Sequence, residues 1–242
     1  MPSITRAAGP GRPHLTVVGL GDSVPAGAAC SCEDYVHLYG ERLAHDVGAV
    51  VTVDDRAQGG IDTAGLLRQL APGSPASAAV ARADVVTVTA GANDFAAALD
   101  SYLKGSCGGP TAMDCLYNEV PVMQRRLTAL LERVRTLTAG RRVALRVTDY
   151  WNVFEDGQVA SDRFGDEYVR DTSSFTRSAN AAICAAAAAV QAPCIDLYAP
   201  FKGADGGKDP TNLLAGDGDH PSAEGQQVIA DTLARVGYAP VA

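Results

Sequence analysis

A serine, a histidine and an aspartate in this sequence have the types and spacing that nucleophilic catalysis needs. Ser23 lies in the turn-rich segment GDSVPAG, and His220 is the only histidine beside a carboxylate in a predicted loop. A serine hydroxyl is a weak nucleophile unless a neighbouring base accepts its proton. Asp217, three residues before His220, can reach the other ring nitrogen and stabilise the imidazolium. These residues predict a Ser-His-Asp triad.

The serine and the aspartate of this triad each have an alternative. Ser23 could be an ordinary turn residue or helix cap. Asp219 also lies beside His220 and could orient it, although the three-residue spacing favours Asp217. The remaining histidines are interpreted as surface or helix-face residues: His14, His37 and His45.

Predicted strands and helices alternate along the chain and decide where these residues can meet. The predicted strands are residues 15–20, 49–53, 84–91, 142–148 and 194–198. The predicted helices are residues 34–47, 62–70, 118–139, 172–190 and 222–236. Near-continuous apolar strands between helices are typical of a parallel sheet covered on both faces. The pattern predicts one three-layer α/β/α sandwich over residues 14–242, preceded by a flexible lead-in, residues 1–13.

In such a sheet, functional residues collect in the loops after the carboxyl ends of the strands. Gly21-Asp22-Ser23, Gly59-Gly60 and the segment GAND at 91–94 each follow a predicted strand, and the segment DGDHP at 217–221 precedes the last helix. All four segments can therefore converge on one edge of the sheet. Asp22 and Asp94 are expected to make structural hydrogen bonds that hold their loops.

Composition and charge exclude several classes of protein. Hydrophobic residues make up 47% of the chain and charged residues 20%, which excludes a disordered or fibrous protein. The net charge of −8 leaves no excess of Lys and Arg to neutralise phosphates, so no nucleic-acid partner is expected. No segment approaches the roughly 18 apolar residues of a membrane helix. The oligomeric state does not follow from the sequence.

Six cysteines bear on the cellular compartment. Cys107 and Cys115 flank a short loop, and Cys184 and Cys194 bracket the end of an Ala-rich helix, so each pair could close a local disulfide. Cys30 and Cys32 would then be either a tight bridge or two free thiols. A zinc site is the other alternative, but the sequence has no C-x-x-C and its histidines are scattered. Three disulfides would place the protein in an oxidising, secreted or extracytoplasmic environment; free thiols would permit the cytoplasm. The first residues have no apolar signal core, so any signal peptide is expected to have been removed.

Four segments together resemble the sequence blocks of the GDSL (SGNH) hydrolase family. Gly-Asp-Ser at 21–23 is similar to its first block, Gly60 within AQGGIDTAGLL to its second, and GAND at 91–94 to its third. Asp217 and His220 form a D-x-x-H that is similar to its fifth block. The segments occur in the order of the family and together span residues 17 to 224. Gly59 competes with Gly60 for the second block, but the register of GIDTAGLL favours Gly60.

This resemblance implies a fold and a mechanism. The fold would be a flavodoxin-like parallel sheet of about five strands, and the reaction hydrolysis of a carboxylic ester through an acyl-serine intermediate. The oxyanion hole would consist of the backbone N–H groups of Ser23 and Gly60 and the side-chain amide of Asn93. No metal or organic cofactor is implied. The substrate could be a small-molecule, lipid or carbohydrate ester, because lipases, esterases and carbohydrate deacetylases all occur in the family.

Two other functions and one segment stay open. The same acyl-enzyme could transfer its acyl group to an alcohol, or the fold could serve only to bind carbohydrate or lipid, although an intact set of site residues argues against this. Residues 150–170 are predicted to be irregular and contain the only Trp and several aromatic residues. They could line an acyl or sugar pocket as a mobile flap, or form an ordinary long connection.

Overall fold

Three of the four segments that the sequence analysis singled out follow strands of the sheet, and the fourth precedes the last helix. The structure, a computed structural model, describes residues 12–109 and 112–241, so the predicted lead-in lies outside it except for its last two residues. Five parallel strands are arranged in the order β2-β1-β3-β4-β5. The strands are β1 (His14–Gly21), β2 (Val50–Asp55), β3 (Val85–Thr89), β4 (Ala144–Thr148) and β5 (Cys194–Ile195).

The burial of the central strands explains why their sequences are almost continuously apolar. Every residue of β3 and β4 is buried, since helices cover both faces of the sheet. β2 lies at the edge, and its first residue, Val50, is 41% exposed. In the register of the sheet, Val17 of β1 pairs with Val53 on one side and Val85 on the other. The predicted parallel sheet of about five strands is confirmed.

The helices form two layers. They are α1 (Tyr35–Val47), α2 (Thr63–Gln69), α3 (Pro75–Arg82), α4 (Ala96–Leu103), α5 (Asp114–Leu137), α6 (Gly157–Phe164), α7 (Asp166–Ala189), α8 (Tyr198–Lys202) and α9 (Ala223–Arg235). α1 packs against α9, whereas α5 packs against α2, α3 and α7. When strands in this order are connected by right-handed crossovers, the two groups of helices lie on opposite faces of the sheet. The predicted α/β/α sandwich is therefore confirmed.

Several predicted boundaries and one predicted loop were wrong. Residues 150–170 are not irregular throughout, because they contain α6 and the start of α7. Asp156 caps α6, and Gly165, with φ of 89°, separates the two helices. The strand predicted over 194–198 is only two residues long, because the chain turns into α8 at Tyr198. The helices predicted over 118–139 and 172–190 begin earlier, at Asp114 and Asp166.

Besides α6, three short helices were missed: α3, α4 and α8. α4 follows directly on a 3-10 turn (Ala92–Phe95) and has no side-chain cap at its N-terminus. It therefore lacks the start signal by which a helix is recognised in a sequence.

All six cysteines are paired in disulfides. The bonds join Cys30 to Cys32, Cys107 to Cys115 and Cys184 to Cys194. This pairing leaves no thiolate for the alternative zinc site. Within residues 12–109 and 112–241, no group of three or more His, Cys, Asp or Glu side chains is arranged to hold a metal ion. No helix in the same ranges is long and apolar enough to cross a membrane.

Candidate active site

Ser23 lies in a turn that is held at the end of β1. The backbone N–H of Asp22 donates to the carbonyl of Thr89 on β3 (3.1 Å). Gly21 has φ of 148°, and a Cβ there would lie 2.1 Å from that same carbonyl oxygen, so only glycine allows the two strands to approach so closely. The turn that presents Ser23 therefore depends on the packing of β1 against β3.

The side chain of Asp22 holds the turn in place through two hydrogen bonds. One carboxylate oxygen accepts the N–H of Val24 (3.0 Å), and the other accepts the hydroxyl of Tyr150. Burial raises the pKa of the Asp22 carboxyl to about 6, although both hydrogen bonds oppose the shift. The structural role predicted for Asp22 agrees with these contacts.

His220 is held by Asp217 in the loop before α9. The carboxylate of Asp217 contacts Nδ1 of His220 (2.7 Å) and accepts its backbone N–H (3.1 Å). Burial acts to raise the pKa of Asp217, but the hydrogen bonds from His220 and Asp219 outweigh it and hold the pKa below its usual value. An ionised Asp217 at Nδ1 leaves Nε2 as the nitrogen free to act as a base.

Asp219 stands on the other side of the same imidazole. Its carboxylate lies 3.9 Å from Nε2 of His220, which is outside hydrogen-bond distance. Its backbone N–H donates to Asp217 (3.0 Å). Of the two carboxylates considered for orienting His220, only that of Asp217 reaches Nδ1.

Asn93 lies on the 3-10 turn after β3 and is tied to the loop after β2. Its side-chain nitrogen donates to the carbonyl of Ile61 (3.1 Å), which leaves the second amide hydrogen available. The neighbouring Asp94 accepts the backbone N–H (2.9 Å) and the hydroxyl (2.6 Å) of Thr63 at the start of α2. Asp94 therefore has the structural role that the sequence predicted, and it joins two of the candidate loops.

The two glycines after β2 form a turn. The N–H of Ile61 donates to the carbonyl of Gln58 (3.2 Å), and Gly60 has φ of 75°. A positive φ at the third position of such a turn favours glycine. Within the described chain, no hydrogen bond uses the backbone N–H of Ser23 or Gly60. Both groups are thus available as donors.

One cavity of about 250 Å³ brings most of the predicted residues together. Ser23, Asn93 and His220 line it, with Asp217 bonded behind the imidazole. Gly60 does not line this cavity; it lies on a neighbouring depression with Ile61. A Cβ at Gly59 would lie 3.9 Å from that of Ser23, so Gly59 is also near the site. The role of Gly60 as oxyanion donor stays a prediction. No hydrogen bond joins Ser23 Oγ to His220 in the part of the chain described.

Much of the remaining wall comes from segments to which the sequence analysis gave no definite role. Nine residues of the stretch 150–170 line the cavity: Tyr150, Trp151, Asn152, Val153, Phe154, Glu155, Arg163, Phe164 and Tyr168. The other wall is α4, which contributes Ala96, Leu99 and Leu103. Their spacing of three and four residues places them on one helix face, a signal that the short AAALDSYL segment does contain.

A buried ion pair underlies the histidine loop. Nζ of Lys202 contacts Asp156 at 2.5 Å, and their side chains are only 4% and 0% exposed. The backbone N–H of Asp156 donates to the carbonyl of Gly218 (2.7 Å), between Asp217 and Asp219. This pair therefore connects the start of α6 and the end of α8 to the loop that carries His220.

Comparison with known proteins supports the resemblance seen in the sequence. A profile of the GDSL-like Lipase/Acylhydrolase family matches residues 20–228. The spore germination lipase LipC of Bacillus licheniformis is 26% identical over 230 residues, which cover 93% of this chain and 97% of the relative.

Solved structures share the fold. The lipase Lip_vut3 from a goat rumen metagenome has a TM-score of 0.73 at 23% identity, over 94% of this chain and 100% of that chain. A catalytic mutant of Axe2, an acetylxylan esterase from Geobacillus stearothermophilus, has a TM-score of 0.63 at 16% identity, over 93% and 94% of the two chains. Because the family profile spans most of the sequence, the protein belongs to the GDSL-like lipase/acylhydrolase family and is a carboxylic ester hydrolase.

Proposed function

We propose that the protein hydrolyses carboxylic esters through an acyl-serine intermediate, with Ser23 as nucleophile, His220 as base and Asp217 as its orienting carboxylate. The observation that carries this proposal is that Ser23 and His220 line one cavity while Asp217 contacts Nδ1 of that histidine. This arrangement has the three roles of a serine-hydrolase triad.

The reaction would proceed in two halves. Nε2 of His220 accepts the proton of Ser23 as Oγ attacks the ester carbonyl carbon, and the imidazolium then gives that proton to the departing alcohol. In the second half, the same nitrogen accepts a proton from water as the water attacks the acyl carbon. The bond to Ser23 Oγ then breaks, the imidazolium returns its proton to Oγ, and the acid is released. The low pKa of Asp217 supports this cycle, because an ionised carboxylate stabilises the imidazolium in both halves. Catalytic hydrogen bonds of this kind often shorten only when substrate binds. The mechanism is therefore compatible with the lack of a hydrogen bond between Ser23 and His220 in the described chain.

Three donors would stabilise the tetrahedral oxyanion. They are the N–H groups of Ser23 and Gly60 and the second amide hydrogen of Asn93. The first two donate to no other group in the described chain, and Asn93 uses one hydrogen for Ile61. A preorganised donor of this kind typically lowers the barrier by about 2.7–4 kcal/mol.

Two further proposals concern the molecule as a whole. We propose that residues 14–242 form one catalytic domain, since the candidate residues come from loops along the entire sheet. The three disulfides also support an oxidising, secreted or extracytoplasmic environment.

The test replaces the nucleophile. We expect Ser23→Ala to lower kcat on p-nitrophenyl butyrate by about 10⁶-fold, the cost of removing a catalytic serine elsewhere. A fluorophosphonate probe should add one label to the native protein, located at Ser23 by peptide mass spectrometry, and none to the variant.

The matched control is Ser174→Ala, an exposed serine on α7 that does not line the cavity. It should retain native activity and labelling. Hydrolysis that survives Ser23→Ala, or labelling at another serine, would contradict the proposal.

A further inference from the structure

The cavity continues from the candidate catalytic residues along one face of α4. Ala96, Leu99 and Leu103 line it, at helical spacing that keeps them on the same side of the helix. α4 begins directly after the 3-10 turn that carries Asn93. The cleft therefore starts beside a proposed oxyanion donor and ends at Leu103, whose side chain is 47% exposed.

The length of this wall sets the length of the group that fits. Ala96 and Leu103 are seven residues apart, so the wall is about 10 Å long at about 1.5 Å per residue. An extended chain advances roughly 1.2 Å per bond, as the roughly 3.5 Å span of a three-bond peptide unit implies. An alkyl chain of about eight bonds would therefore reach from the reacting carbon to Leu103.

The facing wall is aromatic. Phe164 at the end of α6 and Tyr168 in the first turns of α7 line the same cavity, with ring centroids 4.5 Å apart. Arg163 lies over the Phe164 ring at 4.8 Å and pairs with Glu155 (2.8 Å). Because the two side chains pair with each other, neither brings an unpaired charge between α4 and the two rings.

The catalytic geometry distinguishes the two halves of an ester. The departing alcohol must lie next to His220, which protonates it. The carboxylate of Asp219 lies beside Nε2 of that histidine and makes this end of the cavity polar. The cleft along α4 begins at the turn that carries Asn93 rather than at His220, and we therefore assign it to the acyl chain.

We propose that α4, through Ala96, Leu99 and Leu103, and the rings of Phe164 and Tyr168 form an acyl-binding cleft that selects linear acyl chains of about eight carbons. This inference rests on the proposed acyl-serine mechanism. Burial of methylenes between these walls makes kcat/KM rise with chain length by up to about fourfold per methylene. The rise ends where the chain passes Leu103 into solvent.

The experiment compares adjacent alanines on α4. Both alanines are exposed, but Ala96 lines the cleft and Ala97 does not. With p-nitrophenyl esters from acetate to dodecanoate, the native protein should be most active near octanoate. Ala96→Trp should lower the octanoate-to-acetate ratio of kcat/KM at least about tenfold. Ala97→Trp should leave that ratio unchanged.

Leu103→Asp provides a second variant at an exposed position, where folding is not at stake. It should lower kcat/KM for the octanoate and decanoate esters relative to the butyrate ester, because it places a charge where the acyl chain ends. Ethyl acetate and octyl acetate vary the alcohol instead of the acyl chain, and their hydrolysis is followed by pH-stat titration. Ala96→Trp should change kcat/KM for both esters by the same factor.

Three results would overturn the inference. The native protein could prefer the acetate ester, Ala96→Trp could lower the octanoate-to-acetate ratio no more than Ala97→Trp does, or Ala96→Trp could lower kcat/KM for octyl acetate alone. The last would mean that the cleft holds the alcohol. Each of these leaves the proposed mechanism standing, whereas absence of both turnover and Ser23 labelling contradicts the mechanism itself.

Discussion

At the scale of single residues, the imidazole of His220 lies between two carboxylates with unequal roles. Asp217 contacts Nδ1 at 2.7 Å and also accepts two backbone N–H groups of its own loop. Asp219 lies 3.9 Å from Nε2 and is the more distant of the two. The distances assign orientation of the ring to Asp217.

Asp217→Asn is expected to reduce kcat about 10⁴-fold at neutral pH, because an amide can hold the wrong tautomer of His220 and cannot stabilise an imidazolium. Asp219→Asn is the matched control, since it removes a neighbouring carboxylate and keeps the Nδ1 contact. Its effect should stay below about tenfold. Steady-state kinetics on p-nitrophenyl butyrate measures both. Equal losses in the two variants, or a larger loss for Asp219→Asn, would assign the role to Asp219.

At the scale of elements, α6 and α8 support the loop that carries the histidine. Asp156 caps α6 with its side chain and binds the carbonyl of Gly218 with its backbone N–H. A Cβ at Gly218 would lie 2.7 Å from that of Val159, so α6 packs directly onto the loop. The buried ammonium of Lys202 neutralises Asp156 within this contact.

Lys202→Met is expected to lower the free energy of unfolding by about 3–5 kcal/mol, since it leaves the buried carboxylate of Asp156 without its partner. Lys208→Met is the control, because Lys208 is an exposed lysine on the following loop that donates to the carbonyl of Pro200. Lys208→Met should lower the free energy of unfolding by no more than about 0.5 kcal/mol. Urea unfolding without reductant measures both. The double variant Asp156→Asn/Lys202→Met should recover part of the loss; a double variant as unstable as Lys202→Met would refute the ion pair as the cause.

At the scale of the whole molecule, buried and partly buried carboxyl groups at the carboxyl edge of the sheet couple stability to pH. Burial raises the pKa of Asp149 to about 7 and the pKa values of Asp22 and Asp55 to about 6. An unfolded aspartate has a pKa of about 3.9. Between these values the folded protein retains protons that the unfolded chain releases. The contribution of these groups to stability therefore falls as pH rises from about 4 to about 7.

Asp149→Asn is expected to be more stable than the native protein by an amount that grows from pH 4 to pH 7 and is constant above it. The asparagine oxygen can still accept the N–H of Leu197, as Asp149 does at 2.6 Å, while the cost of burying a charge disappears. The gain above pH 7 should be on the order of 1 kcal/mol or more. Urea unfolding at a series of pH values measures it, with exposed Glu33→Gln controlling for the loss of one charge. A difference that is independent of pH would mean that Asp149 does not carry a buried charge.

The sequence alone predicted the sheet and most of the candidate site, for local reasons. The apolar runs of β3 and β4 indicate strands covered on both faces. The order of the blocks places Ser23 after the first strand, Asn93 after the third and the Asp217–His220 pair before the last helix. Asp217 and His220 are only three residues apart, so their contact is a property of one turn. The short cysteine spacings likewise indicated the disulfide pairs as candidates.

Contacts between distant segments could not be predicted in this way. α4 has no capping side chain, so this wall of the cavity was not recognised. Residues 150–170 contain few regularly spaced apolar positions, so lining a pocket was only one of two alternatives for them. Tyr150 reaches Asp22 across 128 residues of sequence, and Lys202 reaches Asp156 across 46. Local residue patterns determined the fold class, the types of the candidate catalytic residues and their order. Only the tertiary structure decided the shape of the cleft and the support of the histidine loop, because both arise from packing between segments that are far apart in the chain.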